Sequence, residues 1–280
     1  MHRPNLLGNG IKMPGPWSDQ LRVSLAPGEV AFVRIAKGMR APPAARGVLH
    51  LPPQGADAGW EPTLRELRSR IRELGSGPAE VTVVLSNCFV SYALVPWSSE
   101  ARDAGAWEDH VRQRFIETHG EPAGGWCLRA TRPRPGRTTL ACGIDHRLLR
   151  ELRALLAAST LQLVSVQPLL IAAFNEYRGT MGGAGCLLCY ERGALCCVSF
   201  AAGEWRRLTM ERLPPDAAAA SQVGHHLAGC HAGDARTAFL CASAEDAEAC
   251  STLSGRHRLQ LLPPPQRAGV PLGAALLGRY

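Results

Sequence analysis

The last third of the sequence carries the element order that most constrains the fold of this chain. Three short apolar runs, joined by two glycine-containing turns, precede a helix, a strand, a second helix and a final strand. The runs are Cys186–Tyr190, Leu195–Phe200 and Trp205–Met210, and the later strands are Thr237–Cys241 and His257–Leu261. Because the last elements have the spacing of crossovers in a parallel sheet, this part predicts a mixed α/β lobe.

The first part of the chain begins with the same order of elements. A Pro-Gly turn joins Leu21–Leu25 to Val30–Ile35, Gly47–Leu51 is a third predicted strand, and one apolar stripe marks a helix over residues 64–74. Three strands and a helix therefore open both parts, which is typical of the ribonuclease-H-like lobe that actin-like ATPases use twice. The order predicts an α/β chain with two lobes.

A third pattern of strands and helices lies between these two parts. Two predicted strands, Val81–Leu85 and Cys88–Val95, precede a helix, and a second strand pair follows it. Asp145 then precedes a leucine-dense helix, where an aspartate is well suited to cap the first turn. We therefore expect an inserted subdomain over residues 80–166.

These patterns divide the chain into four parts. Residues 1–18 are rich in Pro, Gly and Asn and are expected to form a flexible tail, and residues 19–178 to form the first lobe with its insertion. The glycine-rich residues 179–185 are expected to be a hinge. Residues 186–280 are expected to form a second lobe, reduced in size, with a closing helix over Pro271–Leu276.

Length and composition place the chain among cytoplasmic globular proteins. At 280 residues and 46% hydrophobic content, it is long enough to bury two cores. No stretch reaches the roughly 18–20 apolar residues of a membrane span, and the N-terminus lacks the apolar run of a signal peptide. We therefore expect a cytoplasmic location and ten cysteines that are reduced thiols packed as small hydrophobes.

The formal net charge of +7 raises nucleic acid or an anionic membrane surface as a partner. Arginine carries almost all of it, with two clusters over Arg65–Arg72 and Arg129–Arg137. Neither cluster has interleaved aromatic residues on which bases could stack, and the first lies on the outer face of an amphipathic helix. The pattern is typical of a solvated helix face, so we expect no nucleic-acid partner.

Three segments resemble the actin-like proteins PilM and GspL of the inner-membrane platforms that assemble type IV pili and type II secretion pseudopili. The segments are Val83–Ser86 leading to Leu94–Trp97, Ala141–Asp145, and Leu163–Pro168 leading to Ala172–Asn175. The resemblance extends over about Leu21–Leu262, and it implies a two-lobed actin-like ATPase fold. GspL carries a membrane span after its actin-like part, whereas none is expected here, so the PilM side of the family fits better.

The resemblance also implies a partner and a mode of binding. In PilM-like proteins a groove on the actin-like body receives the short cytoplasmic tail of a membrane protein such as PilN, which would place this chain peripherally at the inner membrane. Large aromatic residues near strand ends are the usual anchors for such a peptide. The candidates are Phe89, Tyr92, Trp97 and Trp107, although each has a plain core explanation. We expect Trp97, which follows Pro96, at the rim.

The two turns that should hold phosphate depart from the pattern of an actin-like ATPase. Such an enzyme places Asp-x-Gly with hydroxyl residues in the first hairpin turn, where the carboxylate organises hydrated Mg²⁺ and backbone N–H groups hold the phosphates. The corresponding positions here are Ser24, Pro27, Gly28 and Glu29 in the first turn and Glu191 and Gly193 in the second. Neither turn contains Asp-x-Gly, and Pro27 has no N–H to donate. We therefore predict a pseudo-ATPase with no catalytic residues and no ATP or Mg²⁺ cofactor.

We therefore predict a non-catalytic actin-like scaffold that docks onto an inner-membrane type IV pilus or type II secretion platform, and two other functions are alternatives to it. A divergent ATPase or sugar-kinase-like enzyme could use Glu29 and Glu191 as altered carboxylates, although exposed turn glutamates are the plainer explanation. A nucleic-acid-binding ribonuclease-H relative would need several acidic residues at converging strand ends. The sequence does not supply that set.

Two groups of residues have the spacing of metal ligands, but the sequence predicts no metal site. Cys186 and Cys189, together with Cys196 and Cys197, resemble zinc-ligand spacing, yet all four lie on predicted buried strands. The C-x-x-C spacing also places Cys186 and Cys189 on opposite faces of an ideal strand. His226 and Cys230 share a helix face, for which an ordinary helix surface is the plainer interpretation. We therefore interpret the cysteines as core residues.

Overall fold

A computed structural model describes most of the chain. The described residues are 19–36, 43–51, 59–74, 77–131, 133–214, 218–230, 237–255 and 258–263. The expected tail over residues 1–18 and the expected closing helix over Pro271–Leu276 lie outside them. Within the described residues the strands form two five-stranded sheets and one three-stranded sheet.

The elements follow the predicted order closely. The strands are β1 (Asp19–Ala26), β2 (Glu29–Ile35), β3 (Pro43–His50), β4 (Ala79–Leu85), β5 (Ser91–Val95), β6 (Trp126–Ala130), β7 (Thr139–Asp145), β8 (Leu161–Pro168), β9 (Ala184–Glu191), β10 (Ala194–Ala201), β11 (Glu204–Arg212), β12 (Ala238–Cys241) and β13 (Leu259–Leu261). The helices are α1 (Glu61–Arg70), α2 (Ala104–His119), α3 (His146–Ala157), α4 (Leu169–Met181), α5 (Ala219–Cys230) and α6 (Ala244–Ala249). Short 3-10 turns lie at Ile71–Leu74, Asn87–Phe89, Glu121–Gly125 and Ser251–Gly255.

The first sheet has the order β3-β2-β1-β4-β8. Its first three strands are antiparallel neighbours, whereas β4 and β8 run parallel to β1. Alternate residues of β1, Leu21 and Val23 among them, are buried in the same cluster as Leu64 and Leu67 of α1. The period-2 pattern of the strand and the helical stripe therefore meet, as their spacing predicts.

The insertion lies between two strands of the first sheet. Its own sheet has the order β5-β7-β6, and α2 packs one face of it through Trp107, Val111 and Phe115. The insertion begins after Leu85 and ends before Leu161, because β4 and β8 belong to the five-stranded sheet. It is therefore shorter at both ends than the expected residues 80–166.

The second lobe has a sheet of order β11-β10-β9-β12-β13. One face is covered by α5 and α6, where Val223 and Ala247 are buried with Leu188 and Leu240. The other face joins the core of the first lobe, so one buried cluster runs across both lobes. Within that cluster the Phe174 ring of α4 lies 4.5 Å from the Trp205 ring of β11, measured between centroids.

Two expected elements differ from the structure. The expected hinge over residues 179–185 is a two-residue turn at Gly182 and Gly183, because α4 continues to Met181 and β9 begins at Ala184. Only Gly182 there requires a positive φ, of 69°. The predicted strand over Cys88–Val95 is shorter at its start, since residues 87–89 form a 3-10 turn and β5 begins at Ser91.

Candidate functional site

The candidate site is the place where the two hairpin turns of the lobes approach each other. Pro27 and Gly28 form the turn between β1 and β2, and Arg192 and Gly193 form the turn between β9 and β10. Both glycines have a positive φ, 75° for Gly28 and 89° for Gly193, which a tight hairpin turn requires. Ser24 lies inside β1 opposite Ala31 and is therefore not a turn residue.

Asn87 joins the first lobe, the insertion and the second lobe at this place. Its backbone N–H donates to the Glu191 carboxylate at 2.8 Å. Its side-chain Oδ1 accepts from the Tyr92 hydroxyl at 2.7 Å and from the Leu170 N–H at 3.1 Å. Asn87 is fully buried, because β4 ends beside β1 and directs the following turn into the space between the lobes. Through its backbone and side chain together, this one residue connects its own 3-10 turn with β5, α4 and β9.

Glu191 is the residue that crosses from the second lobe to the first. Burial raises its pKa from an ordinary 4.5 to about 7, and hydrogen bonds from Ser86 and Asn87 and the charge of Arg212 oppose that rise. The Arg212 guanidinium donates to the Cys88 carbonyl at 2.9 Å and so adds a second contact between the lobes. The expectation of an exposed turn glutamate is wrong for Glu191, because it ends β9 and its carboxylate accepts the Asn87 N–H of the first lobe.

Opposite charges surround the other turn glutamate. The Glu29 carboxylate lies 3.7 Å from Nδ1 of His50. Burial raises the pKa of Glu29, while the charges of His50 and of Arg192 from the second lobe lower it. Arg192 also lies 3.7 Å from the Glu245 carboxylate. Charged side chains of both lobes therefore interact with Glu29.

This arrangement differs chemically from a phosphate cradle. A cradle needs several backbone N–H groups aimed at one anion, with a carboxylate placed for the metal. Among the described residues at the two turns, Pro27 has no N–H, and the N–H of Asn87 already binds the Glu191 carboxylate. The Asn87 N–H therefore already has a carboxylate of the protein as its acceptor.

The four aromatic candidates have different environments. Tyr92 and Trp107 are buried, and Phe89 is half-buried against the main core. Trp97 is 41% exposed and is the one exposed large hydrophobic side chain among the described residues. Burial assigns Tyr92 and Trp107 to the core, because a surface anchor must be reachable by its partner. Trp97 alone of the four has the exposure expected at a rim.

Sequence reasoning missed three residues of this site, namely Asn87, Arg192 and Arg212. Asn87 had a usable signal, since Ser86 and Asn87 follow an apolar strand directly, where polar residues commonly line a site. The two arginines had none, because Arg212 is 124 residues from Cys88 in sequence and Arg192 is farther still from Glu29.

The structure places Cys186 and Cys189, which have the spacing of zinc ligands, on opposite faces of the second sheet. Cys186 packs with the cluster under α5 and α6, whereas Cys189 packs with the core shared by the lobes, so the two cysteines face opposite ways. No group of three or more possible ligands occurs within the described part of the chain. The side chain of Cys230 lies outside that part.

The basic cluster on α1 has the environment of a solvated helix face. Arg68 and Arg70 are exposed, and Arg70 pairs with Glu66 and Glu73 at 3.1 and 2.8 Å. Arg68 lies 3.5 Å from the Glu151 carboxylate of α3. Acidic neighbours thus balance much of the local positive charge. In the described residues, no helix combines the length and the apolar content needed to span a bilayer.

Comparisons of structure identify the fold. The chain is similar to a chain of the PilM-PilN type IV pilus biogenesis complex, with a TM-score of 0.64 and 12% identity over 92% of this chain and 96% of that one. It is also similar to a Bacteroides thetaiotaomicron protein of actin-like ATPase fold and unknown function, with a TM-score of 0.61 and 9% identity over 97% and 100%. The predicted fold class, an α/β actin-like fold, is confirmed.

A third similar structure belongs to a secretion system. It is the cytoplasmic domain of EpsL, an inner-membrane component of the type II secretion system of Vibrio cholerae, with a TM-score of 0.56 and 13% identity over 93% of each chain. The two proteins suggested by the sequence resemblance, PilM and the GspL type, are thus represented among the similar structures. No protein-family model matches the sequence, and no curated protein sequence matches it.

Proposed function

We propose that this chain is a non-catalytic actin-like scaffold of an inner-membrane platform that builds a type IV pilus or a type II secretion pseudopilus. It lies in the cytoplasm and associates peripherally with the membrane by binding a short cytoplasmic peptide of a PilN-like bitopic protein. The similarity to a chain of the PilM-PilN complex over nearly the whole length of both supports this proposal. The similarity to the EpsL cytoplasmic domain supports the same class of platform.

One observation carries the non-catalytic part of the proposal. The Glu191 carboxylate of the second lobe accepts a hydrogen bond from the Asn87 N–H of the first lobe, in the space where the two lobes meet. A phosphate group in that space would have to displace a carboxylate and lie near its negative charge. The protein therefore uses the former phosphate region to join its own lobes.

The alternative is a divergent ATPase or sugar-kinase-like enzyme that uses Glu29 and Glu191. The raised pKa values of both carboxylates are a feature that active sites share. Hydrogen bonding and charge pairing inside the protein explain the same feature without a substrate. The two functions differ in whether Mg-ATP binds at all, which calorimetry can measure directly.

The partner proposal is tested by capture and by a variant at the exposed aromatic. The tagged full chain should recover a bitopic platform protein from detergent-solubilised membranes, and a synthetic peptide of its cytoplasmic tail should bind in solution. Trp97→Ala should weaken that binding by about 2 kcal/mol or more, which is roughly 30-fold in Kd, because a buried aromatic anchor contributes that much.

The control for this experiment is an exposed position on another surface. Arg65→Ala, on the outer face of α1, should leave Kd within about twofold, and circular dichroism should show that both variants are folded. Capture of no bitopic protein would contradict the proposal. Unchanged pilus assembly and secretion after deletion of the gene would contradict it as well.

A further inference from the structure

Two cysteines on neighbouring strands form a sulfur pair that the scaffold function does not use. Sγ of Cys186 in β9 lies 2.8 Å from Sγ of Cys197 in β10. The strands are antiparallel, with Cys186 opposite Ser199 and Cys197 opposite Leu188, so the two cysteines are diagonal neighbours on one face. From this juxtaposition we propose that Cys186 and Cys197 are a redox-active pair that forms a reversible disulfide.

The separation of the sulfurs favours a disulfide over a shared metal ion. Two thiolates bound to one zinc ion at about 2.3 Å in tetrahedral geometry stand about 3.8 Å apart. A disulfide requires about 2.05 Å, so the pair must close by only about 0.8 Å from its present distance. Rotation about the side-chain bonds supplies a movement of this size, and the strands stay in register.

The two cysteines differ in access, which sets their roles. Cys186 is half-buried at the start of β9, whereas Cys197 is 5% exposed under α5. A reagent therefore reaches Cys186 first, and Cys197 lies in position to resolve the product. The oxidant is a low-molecular-weight disulfide, such as oxidised glutathione or cystine.

The reaction is two successive thiol–disulfide exchanges. The Cys186 thiolate attacks one sulfur of the reagent, forming a mixed disulfide and releasing one small thiolate, which takes up the proton that Cys186 lost. The Cys197 thiolate then attacks the Cys186 sulfur and releases the second small thiol. Two protein thiols are oxidised to one disulfide, and one reagent disulfide is reduced to two thiols.

A second pair of cysteines in the same lobe serves as an internal control. Cys189 and Cys241 are register neighbours on the adjacent strands β9 and β12, and they are 0% and 1% exposed on the opposite face of the sheet. A hydrogen bond with Cys241, together with burial, raises the pKa of Cys189 well above its ordinary value. A buried thiol with little thiolate reacts slowly, so this pair should stay reduced.

The new bond would hold the hairpin that contacts the first lobe. It would close a loop over the ten residues from Leu187 to Cys196, which include Glu191 at the end of β9 and Arg192 in the turn. Both residues contribute to the junction between the lobes. Oxidation would therefore restrain the element on which that junction depends.

The test uses the full chain, first reduced and then incubated with oxidised glutathione. Remaining thiols are blocked by alkylation, and the digest is analysed by mass spectrometry. We expect a cross-linked pair of peptides joining Cys186 to Cys197, lighter by two hydrogen atoms and separated again by dithiothreitol. In Cys197→Ser, the glutathione adduct on Cys186 should accumulate at least tenfold over the wild type, because nothing resolves it. In Cys186→Ser, Cys197 should remain alkylatable.

Two results would overturn the proposal. One is a wild-type protein that keeps glutathione on Cys186 while Cys197 remains alkylatable, since the pair would then fail to close. The other is oxidation of Cys189 and Cys241 at the same rate, which would indicate an opened protein. Both results are measured on the wild-type protein. They can therefore be obtained even if a serine variant is too unstable to fold.

Discussion

At the scale of single residues, the contact between Glu191 and Asn87 decides how the two lobes meet. The carboxylate is removed from water, which disfavours its charged form, and the Asn87 N–H compensates only in part. Its pKa of about 7 makes this one group ionise near neutral pH. The junction between the lobes therefore contains a titrating group that the strand pattern alone does not predict.

The pKa of Glu191 leads to a prediction on the pH dependence of stability. Its folded value of about 7 lies above the ordinary 4.5, so the folded state holds the proton more tightly than the unfolded state. The stability from this group is fully present below about pH 4.5 and is lost as the pH rises to about 7. Glu191→Gln, which cannot ionise, should match the wild type at low pH and exceed it above pH 7 by at most about 3 kcal/mol.

Chemical denaturation between pH 4.5 and 8 measures the difference in unfolding free energy. Glu108→Gln is the control, because Glu108 is an exposed residue of α2. Its difference from the wild type should be independent of pH. A constant difference for Glu191→Gln over the same range would show that the carboxylate does not titrate as proposed.

At the scale of elements, helix starts show how one polar side chain can both cap a helix and join it to a neighbour. Asp145 ends β7 and caps α3, where its carboxylate accepts from the Arg147 N–H at 2.8 Å. The same carboxylate accepts from Nε1 of Trp60 at 3.2 Å, beside the start of α1. The cap was predicted from sequence, whereas the bond to Trp60 spans 85 residues and depends on the packing of α1 against α3.

Asp145 also pairs with the Arg147 guanidinium at 3.0 Å, and together with the bond to Trp60 this predicts a larger effect than a cap alone. Asp103 caps α2 by accepting from the Ala106 N–H at 2.9 Å, at an exposed site. Asp103→Ala should therefore cost about 1 kcal/mol of unfolding free energy. Asp145→Ala should cost about 2–3 kcal/mol, because the buried indole N–H of Trp60 also loses its acceptor. Urea denaturation measures the free energy of unfolding of both variants. An equal loss in the two would show that the Trp60 bond contributes no stability.

At the scale of the whole molecule, the lobes share one core in addition to their polar contacts. The second sheet contributes residues such as Leu187 and Val198 to the cluster that holds the first sheet. The insertion also contacts the second lobe, where Arg137 donates to the Ala202 carbonyl at 2.6 Å. These contacts join the two lobes through a shared core and through hydrogen bonds.

A whole-molecule prediction follows for nucleotide binding. Titration calorimetry of the full chain with Mg-ATP and with Mg-ADP should show no binding at physiological concentrations. The reason is that both turns lack Asp-x-Gly and that the Glu191 carboxylate already accepts the Asn87 N–H where the two lobes meet. Binding in the micromolar range that disappears in Glu29→Ala or Glu191→Ala would support the divergent enzyme instead. A second measurement is thermal unfolding of the wild type, whose midpoint should not change when Mg-ATP is added.

The sequence by itself determined the order and type of nearly every element in the described residues. The strands, the Pro-Gly turn at Pro27, the cap at Asp145 and the α1 stripe were all predictable, because hydrophobic period, turn chemistry and capping act over a few residues. The actin-like order of strands and helices followed from the same local signals. The exposure of Trp97 agreed with its place after a strand-ending proline.

Only the tertiary structure decided which residues meet across the two lobes. Asn87 and Glu191 are 104 residues apart in sequence, and Arg212 lies 124 residues from its acceptor at Cys88. The burial of Glu191, Tyr92 and the rest of this junction depends on the packing of whole sheets, which no local pattern records. Local physical chemistry therefore specified the elements, whereas long-range packing set the charge, the burial and the chemistry of the place where they join.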